Sequence, residues 1–544
     1  MNLDYVSPLP PVRSGIADYS ADLLPHLAAL ADVRLIRLPD LPVSPEVERA
    51  WPMAPAAATG ADGRLPLYQM GNNRYHKGVL DLALRIPGVL TLHDVVLHHL
   101  LQDITLGRHD PQGFWDYKEA LTRDHGWIGE AAALAKRWNA WGEAPLFSLP
   151  AHRTLLRRQR GVLVHSQWAA EAVADEDVGV PVRAIPMGVP LPPAADAAAG
   201  RALRRRFGLP EDRPVIGSFG FQTPIKRTVS AVRALAAEGL EQVHLVIVGQ
   251  AASVMDLEGE ARRAGVASRV HVLGFLPFAD FEASIAAVDL CLNLRYPTAG
   301  ETSASLLRVL AAGRPAIVSD YAQFAELPAE VALRVPLGDE EPAALAALLR
   351  ELLADPDRRH LAAMGRAARE HVRLRHDPAR SAAAVVAACE EWAALPPVED
   401  GSGGSRKTRR EVPGPTSLIW EPLPGELAVE GAEVPWPEGE KRRLRIRLRN
   451  TGDARWLAGE QGTGRISVVI KLVVDGGEDR LWGTDFFNGG FWLPLPRDLA
   501  PGEEVVLEAD LRRPPGPARL WIEPHLVGGV RLSKLGGPEW DQWI

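Results

Sequence analysis

Apolar and polar positions come in alternating blocks over the first 395 or so residues. Short, almost wholly apolar runs such as "MNLDYVS", "VRLIRL", "LPLYQM", "GVLTLHD" and "GVLVHS" are each separated by stretches with helical spacing. After the loop "GVPLPPAADAAAG" (188–200) and a helix at "RALRRRFGL", the same rhythm returns in "PVIGSFG", "VHLVIVG", "RVHVLGF", "VDLCLNL" and "PAIVSD". Strands that are apolar on both sides are covered on both faces, so the pattern predicts α/β architecture with two parallel, doubly wound sheets. Two such Rossmann-like lobes would face each other across a cleft. The stretch "PPVEDGSGGSRKTRREVPGPT" (396–416) has Gly, Ser, Pro and charge without an apolar period, and reads as a linker. Beyond it the period changes to two, in "RRLRIRLRN", "RISVVIKLVV" and "EVVLEADL", with turn signals between the runs. That predicts an antiparallel β-sandwich. The expected domains are 1–190, 191–395, the linker 396–416, and 417–544.

Composition narrows the classes of function. A chain of 544 residues exceeds what one hydrophobic core supports. The net charge of −8 gives no general attraction to nucleic acid. Two cysteines, Cys291 and Cys389, cannot form a disulfide framework, which fits a reducing compartment. The first residues have no basic segment followed by an apolar run, so no signal peptide is expected. No apolar run reaches the roughly 18–20 residues of a membrane span. The expected location is cytoplasmic, with any membrane contact peripheral; the basic stretch "HRTLLRRQR" (152–160) reads first as a solvated helix face. Eight of the fifteen tryptophans lie in 417–544, so the tail carries much of the chain's aromatic area. Trp456, Trp482, Trp492, Trp521, Trp540 and Trp543 are expected to be mostly core, the alternative being a glycan-binding face.

Ligands of doubly wound sheets bind outside the carboxyl ends of the strands, and the chemistry is sought there. "GSFGFQTPIKR" places Phe219, Gly220, Lys226 and Arg227 after a strand. Two cations near a helix start gain nothing from the helix dipole and point to an anion between them, with a solvated basic helix end as the plainer alternative. Gly249 ends "VHLVIVG" and permits either close approach or a simple turn. "RYPTAGETSASLLRVLAAGRP" carries Gly300, Glu301, the N-cap candidates Thr302 and Ser303, and Arg308. A helix N-terminus with hydroxyls can hold phosphate, or the hydroxyls can serve only the helix itself. In the first half, Arg13, Ser14, Gly15 and Asp18 follow the first strand. Asn72, Asn73 and His76 suit a polyhydroxylated ligand or Asx-turn chemistry. His93 and Asp94 end a further strand, where His93 could act as acid–base, donate to a sugar hydroxyl, or tie a backbone group. His98 and His99 lack a third ligand at recognised spacing, so no metal is expected.

Taken in order, "SPLPPVRSGIADYS", "YQMGNNRYH", "LHDVVLHH", "VHSQWAAE", "IPMGVP", "GSFGFQTPIKR", "VIVG" and the segment from "VLGFLPFADFEASIAAVDL" to "GRPAIVSD" resemble family-4 glycosyltransferases of the GT-B fold, over roughly 1–395. The likeness is to bacterial enzymes of cell-surface polysaccharide synthesis, O-antigen mannosyltransferases among them. It implies retaining, metal-independent transfer without a cofactor, from a nucleotide-diphosphate sugar to a glycan or lipid-linked glycan acceptor, leaning to GDP-mannose as donor. By position, the resemblance puts Lys226 on the diphosphate, the 301–303 loop on the distal phosphate and sugar, His93 near the sugar, and Gly15 beneath the phosphates. Departures accompany it. The two acids usual in the family fall at Gly300, with Glu301 one residue later, and at Arg308; the usual phosphate-binding arginine falls at Phe221, and Met187 replaces a common Asn. Arg227 is expected to replace the lost arginine. Arg308 either touches the nucleotide or turns to a neighbouring acid. The tail resembles the Ig-like sandwiches appended to bacterial glycan-processing enzymes, on "LRNTGDARW", "FWLPLPRDLAPGEEVVLEADL" and "LVGGVRLSKLGG". Two competing readings remain: a nucleotide-sugar epimerase of the same fold, and a non-catalytic glycan-binding scaffold, which the broken acid pair favours.

Overall fold

The computed structural model describes residues 1–108, 111–137, 142–193, 197–355, 357–395, 417, 423–459, 465–474, 490–526, 530–535 and 537–544. The expected linker 396–416 and Trp482 lie outside the described residues, and so does the side chain of Trp492.

The first sheet is wholly parallel and has seven strands: β1 (Asn2–Val6), β2 (Asp32–Arg37), β3 (Met53–Pro55), β4 (Leu65–Met70), β5 (Val89–Leu92), β6 (Gly161–Val164) and β7 (Val182–Ala184). Their spatial order is β3-β2-β1-β4-β5-β6-β7. The second sheet, also parallel, has β8 (Val215–Phe219), β9 (His244–Val248), β10 (Val270–Gly274), β11 (Leu290–Asn293), β12 (Ala316–Ser319) and β13 (Ala332–Val335), in the order β10-β9-β8-β11-β12-β13. Every residue of β4, β5, β6, β8, β11 and β12 is buried, as strands covered on both faces require. The short edge strands β3, β7 and β13 have weaker apolar patterns and were not among the expected strands. In each sheet the chain winds outward one way, then returns to the first strand and winds the other way. The reversals fall between β1 and β4 and between β8 and β11, and both open a crevice at the strands' carboxyl ends.

The lobes are tied together. The last helix of the second segment, Pro378–Ala393, packs against the first lobe: Trp392 is 1% exposed and lies against Gly161. Ser381 Oγ donates to Pro186 O at 2.7 Å, and Arg183 pairs with Glu391 at 2.8 Å.

The tail is all-β and antiparallel. One sheet runs β14 (Gly425–Glu430), β15 (Lys441–Asn450), β18 (Glu504–Arg512). The other runs β17 (Gly490–Pro494), β16 (Ile466–Val474), β19 (Ala518–Leu526), β20 (Val530–Arg531), with β21 (Trp540–Trp543) beside β19. The period-2 reading holds on β15: Leu444, Ile446 and Leu448 are buried while Arg443, Arg445 and Arg447 face water. Trp456 and Trp521 are buried, Trp540 is half-buried, and Trp543 is exposed. Trp540 and Trp543, three apart on one strand, fall on opposite faces and form no coplanar pair. Tyr117, Leu121 and Ile128 of the helix Pro111–Arg137 belong to the same apolar cluster as Leu423, Trp436 and Trp456, so the tail's core is continuous with the first lobe.

Candidate functional site

Both crevices open onto one cleft. On the second lobe, the loop after β11 is directed by a web of short-range bonds. Ser303 caps the helix Ala304–Ala311, accepting from Leu306 N at 3.3 Å, and donates to Asn293 Oδ1 at 3.0 Å. Glu301 Oε2 accepts from Thr298 Oγ1 (2.7 Å) and Ala299 N (3.0 Å); its Oε1 accepts from Arg295 Nη1 at 2.8 Å. Gln323 Nε2 donates to Glu301 O at 2.6 Å, and Thr302 lies half-buried beside the cap.

The loop after β8 brings an amine to the same place. Lys226 is 8% exposed and its Nζ donates to Phe219 O. Gly220 has φ +90°, and a Cβ there would lie 2.7 Å from Lys226 Nζ and 3.7 Å from Ser305 Oγ. The glycine thus leaves the space that the amine occupies, next to the first turn of the Ala304 helix. Burial, and then the nearby Arg295 guanidinium, hold the Lys226 amine well below its usual pKa. Phe219 packs inward at 3% exposure, and Gly249 lies so close to Gly220 that a Cβ would meet Gly220 O at 2.1 Å.

Arg227 corrects the expectation. It adopts a left-handed φ of 53°, and its Nε donates to both oxygens of Glu341, a fully buried carboxylate, at 3.0 and 3.1 Å. Its guanidinium is committed there. Arg295, which the sequence reading did not select, is the arginine beside Lys226; its signal was its place one residue past the strand-end loop start, at the crevice between β8 and β11. Arg308 turned to neighbouring acids: Glu282 at 3.0 Å on its own lobe and Asp22 at 2.5 Å on the first lobe, with its guanidinium 4.7 Å from the Phe278 ring centre. Asp18, an exposed residue one turn before Asp22, lies within electrostatic reach of the same guanidinium.

The first-lobe side differs in kind. His93 is 5% exposed, and both ring nitrogens are used: Nε2 meets Gln69 Oε1 at 3.0 Å and Nδ1 meets His165 Nε2 at 3.1 Å. His165 Nδ1 faces the carbonyl of Ile185 at 3.0 Å, which can only accept. The proton therefore sits on His165 Nδ1, His165 Nε2 accepts from His93 Nδ1–H, and His93 Nε2 is left as an acceptor. A half-turn of the Gln69 amide would then give its otherwise unpartnered Nε2 a bond. Burial, reinforced by His165, drives the His93 pKa well down, and burial holds His165 at about 4. His93 is thus a neutral, tied group with no free N–H for a sugar, which corrects its expected acid–base role.

Asn72 and Asn73 are likewise occupied. Asn72 Oδ1 accepts from Leu100 N (2.9 Å) and its Nδ2 meets His99 Nδ1 (3.0 Å); Asn73 Oδ1 accepts from Tyr75 N (3.0 Å) and meets His76 Nδ1 (3.1 Å). His76 is fully buried and its pKa is pushed down to about 4 by burial. These three build the loop rather than face a ligand. His98 is tied to Leu149 O and Tyr117 OH, and among the described residues no three His, Cys, Asp or Glu side chains gather as a metal site.

What the first lobe offers the cleft is Asp94, with Ser14, Gly15 and Arg13. Asp94 Oδ2 accepts from Asn72 N at 2.8 Å. Burial, and then the charge of Glu301 opposite, push its carboxyl up to about 7. The two acids are held face to face because Val96 N donates to Ala299 O at 2.9 Å across the lobes. Gly300, at φ +82°, permits that contact, since a Cβ would lie 2.6 Å from Val95. Ser14 caps the helix Gly15–Ala28 through Ile16 N, and no atom lies within 4 Å of where a Gly15 Cβ would sit. Arg13 stacks on Phe275 of the other lobe at 4.5 Å.

Comparison with known proteins fits this geometry. Residues 213–355, which hold the Lys226 and Glu301 loops, match the family described as Glycosyl transferases group 1. The chain is 30% identical over 214 residues to the 2-deoxystreptamine glucosyltransferase of Streptomyces kanamyceticus, a match that covers 38% of this chain and 54%, about half, of that relative's length. Among solved structures, HepE of Anabaena in complex with UDP superposes with a TM-score of 0.51 at 17% identity, covering 72% of this chain and 100% of that one. Sucrose-phosphate synthase from Thermosynechococcus elongatus does so with a TM-score of 0.51 at 18% identity, covering 72% and 98%. At such identities the likeness speaks for fold. The first 395 residues therefore have the two-lobed GT-B fold, joined to an all-β tail.

Proposed function

We propose that this protein is a glycosyltransferase that moves a sugar from a nucleotide-diphosphate donor to a hydroxyl of a glycan or lipid-linked glycan acceptor. The observation that carries the reading is the meeting of Lys226, the capped N-terminus of the Ala304 helix and Glu301 on one wall with Asp94 on the other. Fixed cations and N–H dipoles neutralise the charge that grows on a departing diphosphate without having to reorganise. The 213–355 family match, the glucosyltransferase relative and the UDP-bound HepE support a nucleotide-sugar donor.

Finer features belong to the same proposal. Transfer is retaining: the acceptor hydroxyl attacks from the face the diphosphate leaves, and a phosphate oxygen takes its proton. No metal or cofactor takes part. Gly15 lines the floor across from the phosphates, while Arg13, Ser14 and Asp18 edge the acceptor side. Lobes 1–190 and 191–395 handle acceptor and donor, and the 417–544 tail is Ig-like. The role is in cell-surface polysaccharide synthesis in the cytoplasm, with GDP-mannose first among donors to try; no described helix is long and apolar enough to cross a membrane.

A melting screen of the full chain with UDP-, GDP- and dTDP-sugars tests the reading, since a ligand bound only by the native state raises the melting temperature. Stabilisation by one nucleotide class, followed by nucleoside diphosphate release that depends on an added glycan, is the expected result. No stabilisation by any of them sinks it in favour of the scaffold; sugar isomerisation without acceptor points to the epimerase.

A further inference from the structure

As it stands, Glu301 has three of a carboxylate's roughly four acceptor sites filled, and an arginine holds the oxygen with the remaining one. Its Oε1 is held by Arg295 at 2.8 Å, and its Oε2 by Thr298 and Ala299 N. Arg295 reaches past it: Nη2 donates to Ser303 Oγ at 3.3 Å, at the cap of the Ala304 helix, and Ser303 Oγ lies 3.2 Å from Ser305 Oγ. Ser305 in turn borders the space at Gly220 where the Lys226 amine sits. The backbone fixes the arginine's root, because Arg295 N donates to Ser319 Oγ at 2.9 Å. Its Nε is buried and has no partner, leaving one donor of the fork unused.

We propose that Arg295 is the second diphosphate-binding cation of this cleft, and that it works by exchange: on donor entry its guanidinium trades Glu301 Oε1 for a phosphate oxygen, which frees Glu301 to accept from the sugar. This rests on the donor-site reading above. A buried lysine and a half-buried arginine in electrostatic reach of each other, beside a helix N-terminus, destabilise one another until an anion lies between them. A guanidinium fork suits this exchange, since it bonds carboxylate and phosphate with the same geometry. The alternatives for a second cation are used elsewhere, Arg227 on Glu341 and Arg308 on Asp22 and Glu282. No bond is made or broken beyond hydrogen bonds and ion pairs.

Calorimetric titration of the full chain with UDP, GDP and dTDP tests the exchange, with whichever binds the wild type most tightly carried to the variants. Arg295→Met is expected to weaken that nucleotide by about tenfold or more, in line with losing a charge-assisted pair. Arg295→Lys, which keeps the charge and loses the fork, falls between, and it decides the matter if the Met variant fails to fold by its melting curve. The distinguishing arm is Glu301→Gln. Exchange predicts tighter binding of the free nucleoside diphosphate, because Arg295 is no longer held, together with weaker binding of the matching nucleotide sugar. Unchanged affinity in Arg295→Met or Arg295→Lys, within twofold, overturns the exchange while the donor site stands. So does a Glu301→Gln variant that loses affinity for the free diphosphate. A wild type that binds none of the three nucleotides overturns the donor-site reading and this inference together.

Discussion

The two walls of the cleft are built on the same sheet reversal and yet use their polar residues in opposite ways. On the second lobe the polar groups after β8 and β11 converge and only partly cancel: the buried Lys226 amine, the half-buried Arg295 guanidinium, one carboxylate engaged by that arginine, and a capped helix end. On the first lobe the polar groups after β4 and β5 consume one another, Asn72 with His99, Asn73 with His76, and His93 with Gln69 and His165. A wall that keeps unbalanced charge is set up for a charged ligand. A wall whose hydrogen bonds are internally closed supplies shape, and leaves recognition to the few groups that escape, of which Asp94 is the main one.

Removing the amine from the charged wall should break this comparison hardest. Lys226→Ala is expected to lower turnover by about a hundredfold or more, measured as nucleoside diphosphate release. The same variant should melt no lower than the wild type without ligand, because the buried amine is held against its preferred charge state. Lost activity with a lower melting temperature would mean that Lys226 supports the fold instead. The closed wall predicts the reverse pattern. Asn72→Ala strips the partner from Leu100 N and should cost about 1–3 kcal/mol of stability in denaturant unfolding. Nucleoside diphosphate affinity in that variant should stay within about twofold of wild type. An Asn72→Ala variant with normal stability and impaired acceptor use would return Asn72 to the binding surface.

Much of the fold was legible because parallel strands buried on both faces leave continuous apolar runs; ten of the thirteen strands in the two sheets were visible this way. The short strands β3, β7 and β13 were missed because edge positions are only partly buried and their sequences resemble loops. The site was legible as far as backbone position decides it: strand ends, the Ser303 cap, and Lys226 at the crevice. Side-chain commitment was not legible. Nothing local to "PIKR" says that Arg227 reaches Glu341, 114 positions on, or that Arg308 meets Asp22, 286 positions back. Arg295 was overlooked because a lone arginine after a strand reads as solvated until Lys226 and Ser303 are brought beside it.

Asp94 sharpens the comparison through pH. Its carboxyl is raised to about 7 by burial and by Glu301, against an ordinary value of 3.8. Below pH of about 4 it is protonated folded and unfolded and costs nothing. Between about 4 and 7 the unfolded chain gives up the proton while the native protein keeps it, so stability falls as pH rises; above about 7 the cost is complete. Asp94→Asn removes the titration. It should melt like wild type near pH 4 and higher than wild type, by about 2–4 °C, at pH 8. Equal melting of the two proteins across that range would show that Asp94 ionises without penalty and is more open to water than its surroundings imply.

The smallest expected effect comes from the residue that crosses between the walls. Arg308 departs from a helix of the charged lobe, yet its guanidinium is shared by Glu282 and by Asp22 of the other lobe, with the Phe278 ring beneath it. Both carboxylates keep contact with water, 20% exposed for Asp22 and 43% for Glu282. Removing the arginine leaves them hydrated rather than stranded, so the loss resembles that of an exposed pair more than that of a buried one. Arg308→Leu should therefore change stability by about 1 kcal/mol or less, with the difference shrinking as salt screens the pair. As a tie between lobes rather than a ligand group, it should leave nucleoside diphosphate affinity within about threefold. A tenfold or greater loss of that affinity would make Arg308 part of the charged wall, and would mean that the bound nucleotide pulls it off Asp22 much as phosphate is proposed to pull Arg295 off Glu301.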